Sequence, residues 1–290
     1  MEAGKPSMTA QLVAGLRAAH HQSGARPLVF EDPFAAHFTG GVFLEPLARG
    51  TLQAELDRMA LQPIQGGILG RARHADEVLE RSIAEDGIGQ LVLLGAGNDS
   101  FLLRRPDLAK QLRIFELDHP ASQREKLEKL RQLGFEPRPN VHFVPVDFER
   151  ESAGDALARA DFDHATPAFF NWLGVVTYLQ SDAIFGTLRS LYAVAATGSQ
   201  VLFDYPIASH LLTREEDRAR AREVQASTEA VGEPRPVKHV PAELARSVAA
   251  LGFEVVEDLS PEDLAALYFS GRSDGLRPNP ENRLMRLRMR

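Results

Sequence analysis

Five short apolar runs, separated by helical patterns and turn residues, constrain this chain more than any other feature. Gln90-Leu-Val-Leu-Leu94 stops at Gly95, residues 113–117 lead to Asp118, and residues 140–146, 168–172 and 199–205 supply three more. Continuous rather than alternating apolar runs of this length read as strands covered on both faces, as in a parallel sheet. Residues 120–133 and 181–196 carry helical patterns between them, with Gly198 just past the second as a helix terminator. Strand alternating with helix predicts an α/β fold with a mostly parallel sheet and right-handed crossovers.

The flanks complete the plan. Residues 9–20 place Leu12, Val13 and Leu16 at helical spacing, Asp32-Pro33 opens a short helix through Phe38, and residues 68–84 form a longer one. These define an N-terminal helical cap over 1–85, ahead of a cofactor-binding core over 86–205. A charged helix at 213–229 and a proline-rich stretch (Pro234, Pro236, Pro241) make 206–245 a lid-like insertion. A helix at 241–251, a strand at 252–257 and an exposed-edge strand at 283–289 place the end of the sheet in 246–290, with a late antiparallel pair.

Composition narrows the class. The 290 residues are 44% hydrophobic and 25% charged, an ordinary globular balance. A net charge of −7 argues against nucleic acid as the main partner, because phosphate binding needs a basic patch. Without cysteine there is no disulfide, thiolate metal site or thiol nucleophile. No leader pattern or membrane-length apolar run is visible, so the expectation is a soluble, cytoplasmic protein with no membrane partner. Oligomeric state is left open by these features.

Three strand ends carry the chemistry. Gly95-Ala96-Gly97 after the first strand is a tight turn where a ligand can approach bare backbone. A dinucleotide fingerprint wants a small residue and close helix packing next, but Ser100 is followed by bulky Phe101. Asn98-Asp99 also bring an acid to where a pyrophosphate would lie. An anion there opposes NAD and tolerates the sulfonium of S-adenosylmethionine. Asp118, about 20 residues on, can accept ribose hydroxyls, or it caps the helix that Pro120 opens. Asp147 and Phe148 can take an adenine amino group and cover its ring, or serve as a cap beside a core aromatic.

With these motifs in place the chain resembles the leucine carboxyl methyltransferases and their bacterial O-methyltransferase relatives. The resemblance rests on Leu94-Gly-Ala-Gly-Asn-Asp-Ser100, Phe115-Glu-Leu-Asp-His-Pro120 with Lys126, Val144-Pro-Val-Asp-Phe148 and Gly174-Val-Val-Thr-Tyr-Leu179. It continues at residues 9–17, 32–34, 71–73 and 251–259, in order along nearly the whole chain. It implies a Rossmann-like class I methyltransferase sheet, with S-adenosylmethionine as cofactor and S-adenosylhomocysteine as product. It also implies that Arg71, with Arg17 as a second basic contact, holds the cofactor's carboxylate, a task suited to a planar guanidinium. Gly95, Ala96 and Gly97 fall in the cofactor loop, Asp118 at the ribose, and Asp147 with Phe148 at the adenine.

One position departs from the pattern. Five residues before Tyr178, where the family usually has Glu, stands Leu173, which cannot accept a hydrogen bond. Either Asn171 or Asp99 takes its place, or cofactor binding is weaker. The expected activity is transfer of a methyl group to an oxygen of a small molecule or a carboxylate. The alternatives are an NAD(P)-dependent oxidoreductase and a cofactor-binding protein without turnover. A carboxylate acceptor needs no general base; for a phenol or alcohol, His20, His21 and Tyr205 are candidates. No histidine spacing suggests a metal site, and Arg105, Arg138 and the C-terminal arginines read as solvated.

Overall fold

A computed structural model describes residues 8–136, 138–230 and 237–290. The five apolar runs form β1 (Gln90–Leu94), β2 (Arg113–Asp118), β3 (Val141–Pro145), β4 (Ala168–Trp172) and β5 (Gln200–Pro206), followed by β6 (Phe253–Leu259) and β7 (Asn282–Met289). They make one seven-stranded sheet in the order β3-β2-β1-β4-β5-β7-β6. The first five strands are parallel, and β7 is antiparallel to both of its neighbours. This is the mostly parallel sheet with a C-terminal antiparallel strand that the sequence predicts.

Both faces are covered, which is why the strands read as unbroken apolar runs. On one face Val92, Phe115, Phe170, Trp172 and Phe203 pack against helices Ala153–Ala158, Ser181–Val194 and Pro241–Ala250. On the other, Leu91, Leu93, Ile114, Phe169 and Leu202 meet Ala75, Val78 and Leu79 of the long helix Gln62–Glu85. Each wholly buried Phe contributes roughly 1.5–3 kcal/mol through removal of apolar surface from water. The N-terminal helix Met8–Ser23 packs Leu16, Ala18 and Ala19 against Leu47, Leu52, Leu56 and Ile68 in a separate cluster.

Several expectations are corrected. The 283–289 segment is not an edge strand: β7 lies between β5 and β6, and β6 is the edge. Nor are its arginines free: Arg283 and Arg286 are largely buried, and each of the three has a partner. Arg283 pairs with Asp258 at 3.0 Å, Arg286 donates to Gln200 at 3.0 Å and Arg288 pairs with Asp86 at 2.9 Å. The helix expected from Ile68 begins at Gln62, with Pro63 in its first turn. The short helix expected from Asp32-Pro33 spans Ala35–Phe38, and Asp32 instead accepts the Phe34 N–H in the turn before it. The charged helix spans Glu215–Ala230, while Pro234 and Pro236 of the expected lid lie outside the described residues.

Candidate functional site at the carboxyl ends of the strands

The loop after β1 is held from three sides. Gly95 and Gly97 take φ of +69° and +47°, a region costly for residues with a Cβ. The Gly95 and Ala96 N–H groups donate to the Leu117 carbonyl at 2.9 and 3.1 Å, locking the turn onto β2. A Cβ on Gly95 would lie 2.6 Å from Val175 Cγ2, so the loop sits directly against the segment after β4. Arg17 fastens it from behind: Nη2 donates to the Asn98 carbonyl at 2.6 Å, and Nε lies 3.2 Å from Asp32 Oδ2. Asp32 also accepts from Ser100 Oγ at 2.7 Å. Arg17, expected as a ligand contact, is therefore an internal strap of the loop, with its side chain 7% exposed.

Asp99 sits within this loop and accepts the Phe101 N–H at 2.7 Å. Burial opposes its ionisation, but Lys126, Arg104 and Arg17 outweigh it and hold the carboxyl below its usual value. A fixed negative charge here is unfavourable to a pyrophosphate. Beneath the loop, Lys126 Nζ meets Glu116 Oε2 at 2.6 Å, with side chains 2% and 1% exposed. Burial pushes Glu116 above the usual range while Lys126 pulls it down.

Asp118 closes β2 with both oxygens committed in part, one to the Gly97 N–H and one to the His119 N–H at 2.6 Å. Burial raises its pKa, and those two donors oppose the rise. It does not cap the following helix; His119 does, its Nδ1 accepting from the Ala121 N–H at 3.2 Å. A carboxylate has about four acceptor positions, so Asp118 retains capacity for a ligand hydroxyl. After β3, Asp147 accepts the Glu149 N–H at 3.1 Å in a turn, beside Arg150 at 3.3 Å. Phe148 is 42% exposed and so is not a core aromatic.

The ends of β4 and β5 adjoin a cavity. Arg71 reaches from the long helix to Asp204, Nη1 to Oδ2 at 2.5 Å, with side chains 16% and 3% exposed. Asp204 Oδ1 accepts the Gly174 N–H at 2.6 Å, and Oδ2 also accepts from Asn282 Nδ2 at 3.2 Å. Gly174 has φ +74°, and a Cβ there would sit 2.6 Å from Arg71 Nη2. Beside this couple lies a cavity of about 130 Å³ whose walls include Leu12, Val13, Ile68, Tyr178 and Leu264. Thr177, whose hydroxyl is buried without a hydrogen-bond partner among the described residues, also lines it. Asn171 Oδ1 is similarly unpartnered, and Leu173 packs into the apolar cluster with Leu93 and Phe101.

The base candidates do not gather here. His20 Nε2 accepts the Val29 N–H at 3.1 Å, and burial, aided by Arg272, lowers its pKa to about 4. It is a neutral structural acceptor. Tyr205 is fully buried, donates to Asp258 at 3.0 Å, and is pushed far above its usual value by burial and by that carboxylate. His21 Nδ1 is buried with no partner among the described residues. Among those residues no cluster of three His, Asp or Glu could hold a metal ion, and no helix is long and apolar enough to cross a membrane.

Sequence reasoning missed Asp204 and took Asp32 only as the start of a short helix. The available signal was an acid inside an otherwise apolar strand run, Val201-Leu-Phe-Asp204, and an acid heading a turn next to a helix.

The model of the family "Leucine carboxyl methyltransferase" matches residues 10–192, which include the glycine loop, Arg71, Asp118, Asp147 and Gly174. A Bacillus subtilis protein, "Putative S-adenosyl-L-methionine-dependent methyltransferase YktD", is 29% identical over 95% of both chains. A Mycobacterium tuberculosis protein of the same description is 33% identical over 74% of this chain and 70% of its own. Among solved structures, a duf574 family protein from Streptomyces avermitilis shares the fold, with a TM-score of 0.60 at 14% identity, covering 95% of this chain and 97% of its own. By the extent of that match and by its relatives, the chain belongs to the leucine carboxyl methyltransferase family.

Proposed function

We propose that this protein is an S-adenosylmethionine-dependent methyltransferase that methylates an oxygen of a small, largely uncharged acceptor. One observation carries the reading. The glycine loop, Asp118 and the Asp147-Phe148 pair lie at the carboxyl ends of the adjacent parallel strands β1, β2 and β3, and Arg71 reaches Asp204 at the same end of β5, where open α/β sheets bind ligands. The fit to the cofactor is supported by the left-handed glycines of the loop and by two unpartnered buried oxygens, Asn171 Oδ1 on the neighbouring strand and Thr177 Oγ1 in the cavity wall.

The residues divide the work. The Gly95–Gly97 backbone and Asp118 would hold the ribose, Asp147 and exposed Phe148 the adenine, and Arg71 the carboxylate of the methionine end. The sulfonium of that cofactor supplies an electrophilic methyl group. Apolar walls from the Met8–Ser23 and Gln62–Glu85 helices keep water from the acceptor and fix its approach, and proximity of this kind can supply most of the rate. Arg17 acts at one remove by fixing the loop carbonyl.

The charge of the cavity favours a neutral acceptor. Of its two arginines, Arg71 is taken by Asp204 and the cofactor's own carboxylate and Arg283 by Asp258, so neither is left over for an acceptor carboxylate. The family name favours the other reading, a carboxylate acceptor. Radiolabelled methyl transfer from S-adenosylmethionine to matched panels of phenols, enols and carboxylic acids separates them. Product from the phenol or enol panel is expected, rising with pH as the acceptor hydroxyl ionises and gives its proton to solvent before its oxygen takes the methyl group, since none of the base candidates is placed to take that proton. Faster labelling of the acids would overturn the choice of acceptor, and cofactor binding without labelling of any acceptor would favour a protein without turnover.

A further inference from the structure

We infer that Asp204 binds the ammonium of the cofactor's amino-acid end while Arg71 binds its carboxylate, the two forming one receptor for a zwitterion. The inference rests on the S-adenosylmethionine reading and adds to it a residue that the motifs do not point to.

An α-amino acid head presents a carboxylate and an ammonium a few ångströms apart. A site for it needs a cation and an anion held at similar spacing, dry enough for the charges to act strongly. Arg71 and Asp204 are such a couple, in contact at 2.5 Å and both part of the cavity wall. Neither is exhausted by the other. Arg71 donates from Nη1 alone, and Asp204 accepts from Gly174, Arg71 and Asn282, three of a carboxylate's roughly four positions. The position left open is on Oδ1, which holds only the Gly174 N–H.

The ends of β4 and β5 show how the carboxylate can come from β5. Asn171 pairs with Leu202 and Trp172 with Phe203, where β4 ends; Leu173 follows directly, while β5 runs on through Asp204. Leu173 and Leu202 pack into the same cluster, so alternation puts Asp204 on that face too. Of Leu173 and Asp204, one is apolar and the other is the acid. The other candidates serve less well: Asn171 carries no charge, and Asp99 is turned to the Phe101 N–H among three cations.

The test is calorimetric titration with three ligands: S-adenosylhomocysteine, its analogue lacking the amino group, and 5′-methylthioadenosine, which lacks the whole amino-acid end. The wild-type protein is expected to bind S-adenosylhomocysteine about 10- to 100-fold more tightly than the des-amino analogue, the range for a hydrogen bond to a charged group. Asp204→Asn is expected to erase that preference while leaving the des-amino analogue and methylthioadenosine within about twofold of wild type. Equal binding of the first two ligands by wild type would overturn the inference without recourse to any variant. An equal loss for the des-amino analogue in Asp204→Asn would also overturn it, showing that Asp204 acts only by placing Arg71. Failure of wild type to bind any of the three would instead bring down the cofactor reading, and this inference with it.

Discussion

Arg71→Met is expected to weaken S-adenosylhomocysteine binding by about a hundredfold and to lower stability by about 3 kcal/mol. The two effects have separate causes. Binding falls because the cofactor's carboxylate loses a guanidinium with donors to spare. Stability falls because Asp204, 3% exposed, is left as a buried carboxylate with only Gly174 and Asn282 for partners. The double variant Arg71→Met/Asp204→Asn removes the stranded charge, so it should regain most of the stability and none of the binding. Urea unfolding and titration calorimetry on the same preparations read the two quantities. Recovery of binding in the double variant would show that Arg71 serves only to neutralise Asp204.

The second large effect lies beneath the loop. Lys126→Met leaves Glu116 without its partner in a site where neither side chain is more than 2% exposed. Removing one member of a buried pair typically costs about 3–5 kcal/mol. The cost should depend on pH in a defined direction. Burial already raises Glu116, and loss of Lys126 raises it further, so the native variant holds a proton that the unfolded chain releases above its ordinary value near 4.5. A carboxyl with a raised folded pKa gives stability that is present below the unfolded value and lost as pH climbs through the folded one. The variant should therefore be furthest below wild type at pH 8 and closest to it near pH 5. Lys126→Met/Glu116→Leu should abolish that pH dependence and restore much of the stability. A Lys126→Met deficit of under about 1 kcal/mol at pH 8, or one that grows towards acid, would contradict this role for the pair.

What the sequence disclosed follows from what each signal physically reports. The five parallel strands were legible because helices cover both faces of the sheet, so nearly every position along each strand has to be apolar. Position within the sheet was not legible for β7. Its alternation of Arg with Leu and Met reports which faces carry polar groups, whereas edge or interior is decided by backbone partners. Asp258 and Asp86 are the acids that let a central strand carry Arg283 and Arg288. The start of the long helix at Gln62 was not legible, because the apolar spacing begins only at Ile68 and two weak helix formers, Gly66 and Gly67, precede it. Both glycines are there for close approach, since a Cβ would lie 1.9 Å from the Arg277 carbonyl oxygen and 2.9 Å from Asn279 Cβ respectively.

The site divides in the same way. Gly95, Gly97 and Asp118 stand within 24 residues on one strand-turn-strand unit, so spacing alone could bring them together. Arg71 and Asp204 are 133 residues apart, and no spacing rule reaches that far. His20 and Tyr205 looked reactive only as residue types; burial and their partners Val29 and Asp258 make both structural.

The most direct test of the account is titration of S-adenosylhomocysteine into wild-type protein and into Asp118→Ala, with NADH as the control ligand. Asp118 joins the glycine loop to the end of β2, so it stands at the centre of the arrangement. Binding by wild type, at least about tenfold weaker in Asp118→Ala, with no heat from NADH, is the predicted result. Equal affinity in the two proteins, or binding of NADH in place of S-adenosylhomocysteine, would contradict the assignment of this end of the sheet to the methyl donor.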